Sequence, residues 1–343
     1  MSAVYIGSEY GKLKEVIVGI AAGMTPPLEA KWLQEALKVL PPEECEYTYK
    51  HAGMTWCESV ANDRGETEYD LLEAESLEFI KILESLGVKV YRPTELTKED
   101  VAALFGKEAL VNGYAQTFPR DNVVIVGDNV IETNLRTPLR RVDITGFRDI
   151  LTEKCGAEDF KGRWIAMPHV PLLGSFPRDT PLLEGGDVIV IGKTILVGNS
   201  QNPEVGSNEP GYKWLRNYLG DGYEVVRVPL RQDVLHLDCA LSIPRRGLAI
   251  LCEDAFVEGI PAPLRDWDII KMEFNSVKYL SLNGLPIDSK TYVMGYNDKN
   301  PNAYLKGELE ARGIKVHTVF FGMHNTQGGS LRCATQALLR IDE

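Results

Sequence analysis

The sequence predicts an α/β protein in which about five ββαβ-like blades circle one axis, as a five-bladed α/β propeller. Three observations carry that expectation. A hairpin-like pattern, two β-branched-rich runs around a Gly, Asn, Asp or Pro turn, recurs at 122–133, 187–198, 239–252 and 279–295. Helix-then-strand segments lie between the hairpins. The C-terminal run 334–341 can pair with the first strand, 13–20, and so complete a last unit across the termini. A closed ring leaves no sheet edge exposed, which is a physical reason to bring the two ends together.

In chain order, the first helix falls at 68–86, where Leu71, Leu72, Leu77, Ile80, Ile82 and Leu83 have helical spacing. Gly87 stops it, and 88–91 follows as a strand. Residues 138–151 and then 163–167 fit the same plan more loosely. The plan repeats at 211–219 with 223–228, and at 303–312 with Gly313 and 314–319. Between 261 and 274 there is room for only a short helix. The whole chain, 1–343, reads as one catalytic propeller domain. Segment 21–67, with Pro26-Pro27, Pro41-Pro42 and Trp56, is less regular and is expected to cover the mouth of the site.

Composition narrows the partners. The chain has 343 residues, 44% hydrophobic and 25% charged, as a globular protein does. The net charge is −12, with 49 acidic and 37 basic residues, and no basic run offsets the repulsion from nucleic acid or an anionic membrane. No apolar run approaches the ~18 residues of a membrane span. Six cysteines, at 45, 57, 155, 239, 252 and 333, show neither CxxC spacing nor a zinc pattern, so reduced thiols and no metal are expected. The start, Met1-Ser2-Ala3-Val4-Tyr5, lacks the basic and apolar regions of a signal peptide, and a cytoplasmic location is expected. The oligomeric state is open, a homo-oligomer included.

The chemistry gathers at the hairpin entries. Gly328-Gly329-Ser330-Leu331-Arg332-Cys333 delivers a cysteine from a glycine-rich loop that lets backbone approach a ligand. Leu183-Glu184-Gly185-Gly186-Asp187, Leu235-His236-Leu237-Asp238 and Phe118-Pro119-Arg120-Asp121 supply acids and a histidine. Asp121, Asp187, Asp238 and Cys333 each stand just before the first strand of a hairpin, so rotation of the unit brings them to one end of the axis. Thiol, histidine and carboxylate form the parts list of an activated nucleophile. The remaining acids suit a planar cation with many N–H donors, and a bound cation would lower the thiol pKa.

Together these residues resemble the guanidino-group-modifying enzymes: amidinotransferases, arginine and agmatine deiminases, and dimethylargininases. The resemblance covers nearly the whole chain, beginning with the family-like first strand in Ser8-Glu9-Tyr10-Gly11-Lys12-Leu13 and its continuation to Gly19. It implies the pentein fold, a five-bladed α/β propeller without a cofactor. It also implies Cys333 as nucleophile, His236 as acid/base and Glu184 as the acid that orients it. Asp121 and Asp238 would clamp the guanidinium, with Asp187, Ser276 and Arg332 in the substrate site. The layout is nearest to amidinotransferases, whose Ser-Ser-Lys-Trp-Leu stretch is similar to Ser276-Val277-Lys278-Tyr279-Leu280. Glu184-Gly185-Gly186 and Arg332 look deiminase-like, because amidinotransferases usually carry Asp-Ala-Ala and His there. The arginine that binds a carboxylate in that branch has no counterpart in Glu253-Asp254-Ala255-Phe256, which leaves Arg136, Arg140, Arg231 or Arg332 for the task.

The expected activity is amidino transfer from arginine or a related guanidino donor to an amine acceptor. The alternative is a guanidino hydrolase of the arginine deiminase or dihydrolase type, with water as acceptor. A non-catalytic guanidine-binding propeller is the reading from another class.

Overall fold

Five three-stranded sheets carry one strand pattern, as the computed structural model, which describes residues 3–37 and 42–342, shows. In each, the first strand is antiparallel to the second and the second is parallel to the third. Blade one combines Thr335–Ile341, Lys12–Val18 and Lys89–Tyr91. Blade two is Val123–Val126, Asn129–Glu132 and Arg163–Ala166. Blade three is Val188–Ile191, Thr194–Ser200 and Glu224–Leu230. Blade four is Leu241–Arg245, Leu248–Leu251 and Asp268–Lys271, and blade five is Leu285–Asp288, Thr291–Tyr296 and Lys315–Phe320. The fold is the α/β propeller of the pentein type. Blade one joins the two ends of the chain, with Lys12 opposite Ile341 and Val18 opposite Thr335.

Local chemistry explains the repeat. The hairpins of blades two and three turn at Gly127 and Gly192, whose φ values of 58° and 64° favour a residue without Cβ. Their strands are almost wholly buried Val and Ile, which suits sheets covered on both faces. The helices start where side chains cap them. Thr67 and Asp70 form a reciprocal capping box on Glu68–Ser85, and Asn208 accepts from Gly211 N at the head of Glu209–Leu219. One apolar cluster joins Val16, Ile131, Phe147 and Val197; a second joins Leu230, Ile250, Tyr292 and Leu305.

Three segments differ from the sequence expectation. The fourth hairpin does not begin at 279; its first strand starts at Leu285. The preceding Phe274–Lys278 is a short helix, and Leu280 follows it in the left-handed region at φ 54°. Hydrophobicity at Leu280 and Leu282 imitates a strand, while the local turn uses both to lead Asn283 to the axis. In blade two the helix is Ile144–Cys155, preceded by a single 3-10 turn at Pro138–Arg140. The 261–274 stretch holds only a 3-10 turn, Ala262–Leu264, before its strand.

Segment 21–67 contains helices Lys31–Ala36 and Pro42–His51, a 3-10 turn at Trp56–Glu58, and the short strand Gly23–Met24 paired with Tyr114–Ala115. Met1, Ser2 and Pro41 lie outside the described residues. Tyr47 donates to Glu68, which also accepts from Gln327 in the approach to Cys333. Among the described residues, no helix is long and apolar enough to cross a membrane, and no cluster of three or more His, Cys, Asp or Glu could hold a metal ion.

Candidate active site

The start of each first strand supplies one polar side chain to the same end of the ring. These are Asp121 before Val123, Asp187 before Val188, Asp238 before Leu241, Asn283 before Leu285 and Cys333 before Thr335. All are at least nine-tenths buried. Cys333 N donates to Asn283 Oδ1 at 3.1 Å, and its Sγ lies 3.8 Å from Asp238 Oδ2. Asn283 Nδ2 reaches the Asp238 carbonyl at 3.2 Å, and Arg120 N reaches the Cys333 carbonyl at 3.3 Å. Four blades therefore fix the thiol.

His236 is the residue before the short helix Leu237–Ala240. Its Nε2 is 2.6 Å from Glu184 Oε2, and its Nδ1 is 3.8 Å from Asp121 Oδ1. Glu184 is held in turn by Arg136 N, which donates to its Oε1 at 2.7 Å, while its own N–H goes to Ser207 Oγ at 2.9 Å. Gly186 explains the glycine pair. A Cβ there would fall 2.6 Å from His236 Nδ1 and 2.9 Å from Asp121 Oδ1, with no room for both side chains as they stand. Gly186 N instead donates to Asp121 Oδ1 at 2.8 Å.

Burial pulls the His236 pKa down, but Asp121, the Glu184 bond and Asp187 outweigh it, so the imidazolium persists well above the ordinary histidine range. Burial, then Asp238 and Asp121, push the Cys333 thiol well above its usual value, against a smaller opposing pull from Arg332. The resting pair is a neutral thiol and a protonated imidazole. A cation placed between Asp121 and Asp238 would offset the two repulsions that keep the thiol protonated.

Several expected substrate contacts are taken by the protein itself. Arg332 donates Nε and Nη2 to Glu9 at 3.1 and 3.0 Å, Nη1 to Asp238 Oδ2 at 2.9 Å, and reaches the carbonyls of Val188 at 2.8 Å and Gly185 at 3.4 Å. All five guanidinium protons are thus used, and Arg332 offers none to a substrate. Arg140 is similarly engaged, with Asp121 Oδ2 and Asp143 Oδ2, each at 3.1 Å, and with the Phe118 carbonyl. Asp187 accepts from Ser207 N at 2.8 Å and Leu237 N at 3.0 Å, and Gly198 leaves space for its carboxyl only because it lacks a Cβ. It bridges two loops, with one backbone donor on each oxygen. Ser276 sits half-buried in Phe274–Lys278, its N–H bonded to the Glu273 carbonyl; it is Asn283, further along, that accepts from the Cys333 backbone N–H. Arg231 forks onto Asp233 on the exposed rim, at 3.0 and 2.9 Å.

Of the four candidate carboxylate readers, one, Arg136, borders a cavity. It lines a cavity of about 390 Å³ with Asn199, Ser207, Asn208, Arg227 and Glu258, next to the backbone that holds Glu184. Asn283 and Glu9 were not among the site residues expected from sequence. Aligning the fifth repeat on its true strand would have put Asn283 in register with Asp121, Asp187, Asp238 and Cys333. Nothing in the local sequence points to Glu9.

No family model matches the chain. It is similar to L-arginine:L-lysine amidinotransferase of Pseudomonas savastanoi pv. phaseolicola, 25% identical with 97% of this chain and 93% of that protein covered. It is also similar to inosamine-phosphate amidinotransferase 1 of Streptomyces glaucescens, 25% identical over 98% and 96% of the two chains. Among solved structures, SxtG, an amidinotransferase from Microseira wollei, superposes with a TM-score of 0.74 at 24% identity, covering 98% of this chain and 97% of that one. The dimethylarginine hydrolase DDAH of Pseudomonas aeruginosa superposes with a TM-score of 0.62 at 14% identity, covering 95% and 100%. The chain is thus similar over nearly its whole length to several amidinotransferases, with hydrolases a more distant relation.

Proposed function

We propose that the protein moves an amidino group from arginine or a related guanidino donor to an amine acceptor, through a covalent intermediate on Cys333. The observation that carries this reading is the buried meeting of Cys333 Sγ with Asp238 beside the His236–Glu184 pair. The donor guanidinium lies between Asp121 and Asp238, and its charge lowers the thiol pKa so that the thiol proton is released to solvent. The thiolate attacks the guanidinium carbon. As the carbon–nitrogen bond breaks, protonated His236 gives its proton to the departing nitrogen, which leaves as a neutral amine. An amidino-thioether cation remains on Cys333. Neutral His236 then takes a proton from the acceptor amine as it attacks; the carbon–sulfur bond breaks, and thiolate and imidazolium are restored. Glu184 keeps the imidazole aligned and favours its charged form. The cavity beside Arg136 receives the far end of the donor, with the guanidinium of Arg136 facing a carboxylate there.

The test is mass spectrometry of the Cys333 peptide after mixing with L-arginine. An amidino adduct that disappears when an amine is added, with ornithine as first product, is the expected result. Citrulline and ammonia formed without any amine would overturn transfer in favour of hydrolysis. Cys333→Ala is expected to bind arginine and make neither product; full turnover in that variant would sink the mechanism.

A further inference from the structure

Arg332 joins two carboxylates that do different things. Glu9, itself buried, takes the Nε–Nη2 edge as a fork, at 3.1 and 3.0 Å. Asp238 takes only Nη1, through Oδ2, the oxygen 3.8 Å from Cys333 Sγ. The other oxygen, Oδ1, has a weak neighbour, the Cys239 thiol at 3.8 Å. A planar guanidinium that offered one whole edge, two N–H groups, to Asp238 would occupy both carboxylate oxygens. The fork to Glu9 prevents it.

We propose that Glu9 is a positioning residue for the reaction: it pins Arg332 so that the arginine neutralises one oxygen of Asp238 and leaves the other for the incoming cation. This rests on reading Asp238 as part of the guanidinium clamp. Glu9 also accepts from Val190 N at 3.3 Å, and its path to the Asp238 carboxylate runs through Arg332. Its carboxyl is fit for the task. Although burial opposes its charge, Arg332, Arg120 and Arg340 hold it ionised, with a pKa lowered to about 2. Arg120 and Arg340 cannot replace it. Arg120 Nε bonds the Arg332 carbonyl at 3.3 Å, and Arg340 donates to the carbonyls of Gly11 at 2.7 Å and Pro286 at 2.8 Å. The charged groups acting on Cys333 are Asp238, Asp121 and Arg332. A change at Glu9 therefore reaches the thiol as a change in how fully Arg332 is balanced.

Two variants should move two readouts in opposite senses. In Glu9→Gln, Arg332 keeps its charge, loses its ionic fork and is free to turn one whole edge, two N–H groups, onto Asp238. Cation binding weakens, by about tenfold on the scale of a charge-assisted hydrogen bond, while the thiol titrates at lower pH beside an unbalanced cation. In Arg332→Gln, Asp238 is uncovered, so cation binding tightens and the thiol titrates at higher pH. The experiment follows iodoacetamide alkylation of the Cys333 peptide against pH, with and without millimolar methylguanidinium as the protecting cation. Glu9→Asp, which keeps the charge with a shorter reach, should fall between wild type and Glu9→Gln. If a variant does not fold, that conservative change carries the test. Protection lost and alkylation pH lowered together in Glu9→Gln supports the relay, since a merely loosened fold has no reason to separate the two. Wild-type protection with unmoved variants overturns the relay alone. Absence of protection in the wild type overturns the guanidinium reading and the relay with it.

Discussion

His236 Nε2 and Glu184 Oε2 lie 2.6 Å apart in a site where the two side chains are 5% and 8% exposed. At that separation and burial the pair behaves as one charge-assisted unit. Glu184→Gln removes the charge and keeps the shape. Activity should fall by about 10²-fold or more, the usual scale of a lost acid–base contribution, and the basic limb of the pH–rate profile should move to lower pH. The linkage has a definite sign. A histidine whose folded pKa is raised adds stability that is present below its unfolded value and is lost as pH rises through the folded value. Glu184→Gln should therefore flatten the fall of Tm on the alkaline side. An unmoved profile would show that Glu184 does not set the protonation of His236.

Asp187 gives the second pH signature. Burial pushes its carboxyl up to about 7, against His236 and the Ser207 bonds. Between the unfolded value of about 4 and that folded value the native state holds a proton that the unfolded chain releases, so this group's contribution to stability falls as pH rises through the interval. Asp187→Asn sets an NH₂ against a backbone N–H of Ser207 or Leu237. It should cost about 1–3 kcal/mol, as an unsatisfied buried donor does, and should remove part of the pH dependence between about 4 and 7. Thermal unfolding across that range measures both. A large loss of kcat with Tm unchanged would instead return Asp187 to the reaction.

Asn283 separates backbone placement from chemistry. Its side chain bonds Cys333 N and the Asp238 carbonyl, and its own carbonyl accepts from Arg332 N at 3.2 Å. Asn283→Ala frees the backbone of Cys333 and of Asp238 while removing no titrating group. The amidino adduct on Cys333 should form more slowly, by about tenfold or more, as misplacement of a reacting group predicts. The pH dependence should keep its wild-type midpoints, because no titrating group is removed. A shifted midpoint would mean that Asn283 tunes charge as well as position.

The ring and the residues at its mouth were legible because both follow local rules. Glycine at 127 and 192 marks turns that need positive φ, and polar side chains just before a strand point to one end of a rotating repeat. What the acids do there was not legible. Asp121 and Asp238 read as a bare cage for a cation, whereas each already holds an internal arginine, Arg140 at 3.1 Å and Arg332 at 2.9 Å. Arg332 and Asp238 are 94 positions apart in sequence, and Arg332 and Glu9 are 323 apart. No spacing rule connects such pairs; only closure of the ring does. Segment 279–284 misled for the opposite reason, since its apolar content is strand-like while its backbone turns at Leu280.

Arg136 is the residue on which donor preference can be tested. It is half-buried, its Nε bonds the Gly206 carbonyl at 3.3 Å, and it borders the cavity beside Glu184. Arg332 is saturated inside the protein, Arg140 is tied to Asp121, Asp143 and the Phe118 carbonyl, and Arg231 is tied to Asp233 at 2.9 Å. If the carboxylate of arginine lies against Arg136, then Arg136→Ala should raise KM for L-arginine by about tenfold or more, the scale of one charged hydrogen bond. It should leave KM for agmatine, the same guanidine without the carboxylate, nearly unchanged. Because Arg136 holds Glu184 through its backbone N–H, Ala preserves that bond, and kcat should change little. A parallel rise in KM for both donors would mean that Arg136 shapes the cavity without reading charge. A loss confined to kcat would place its effect on Glu184 instead.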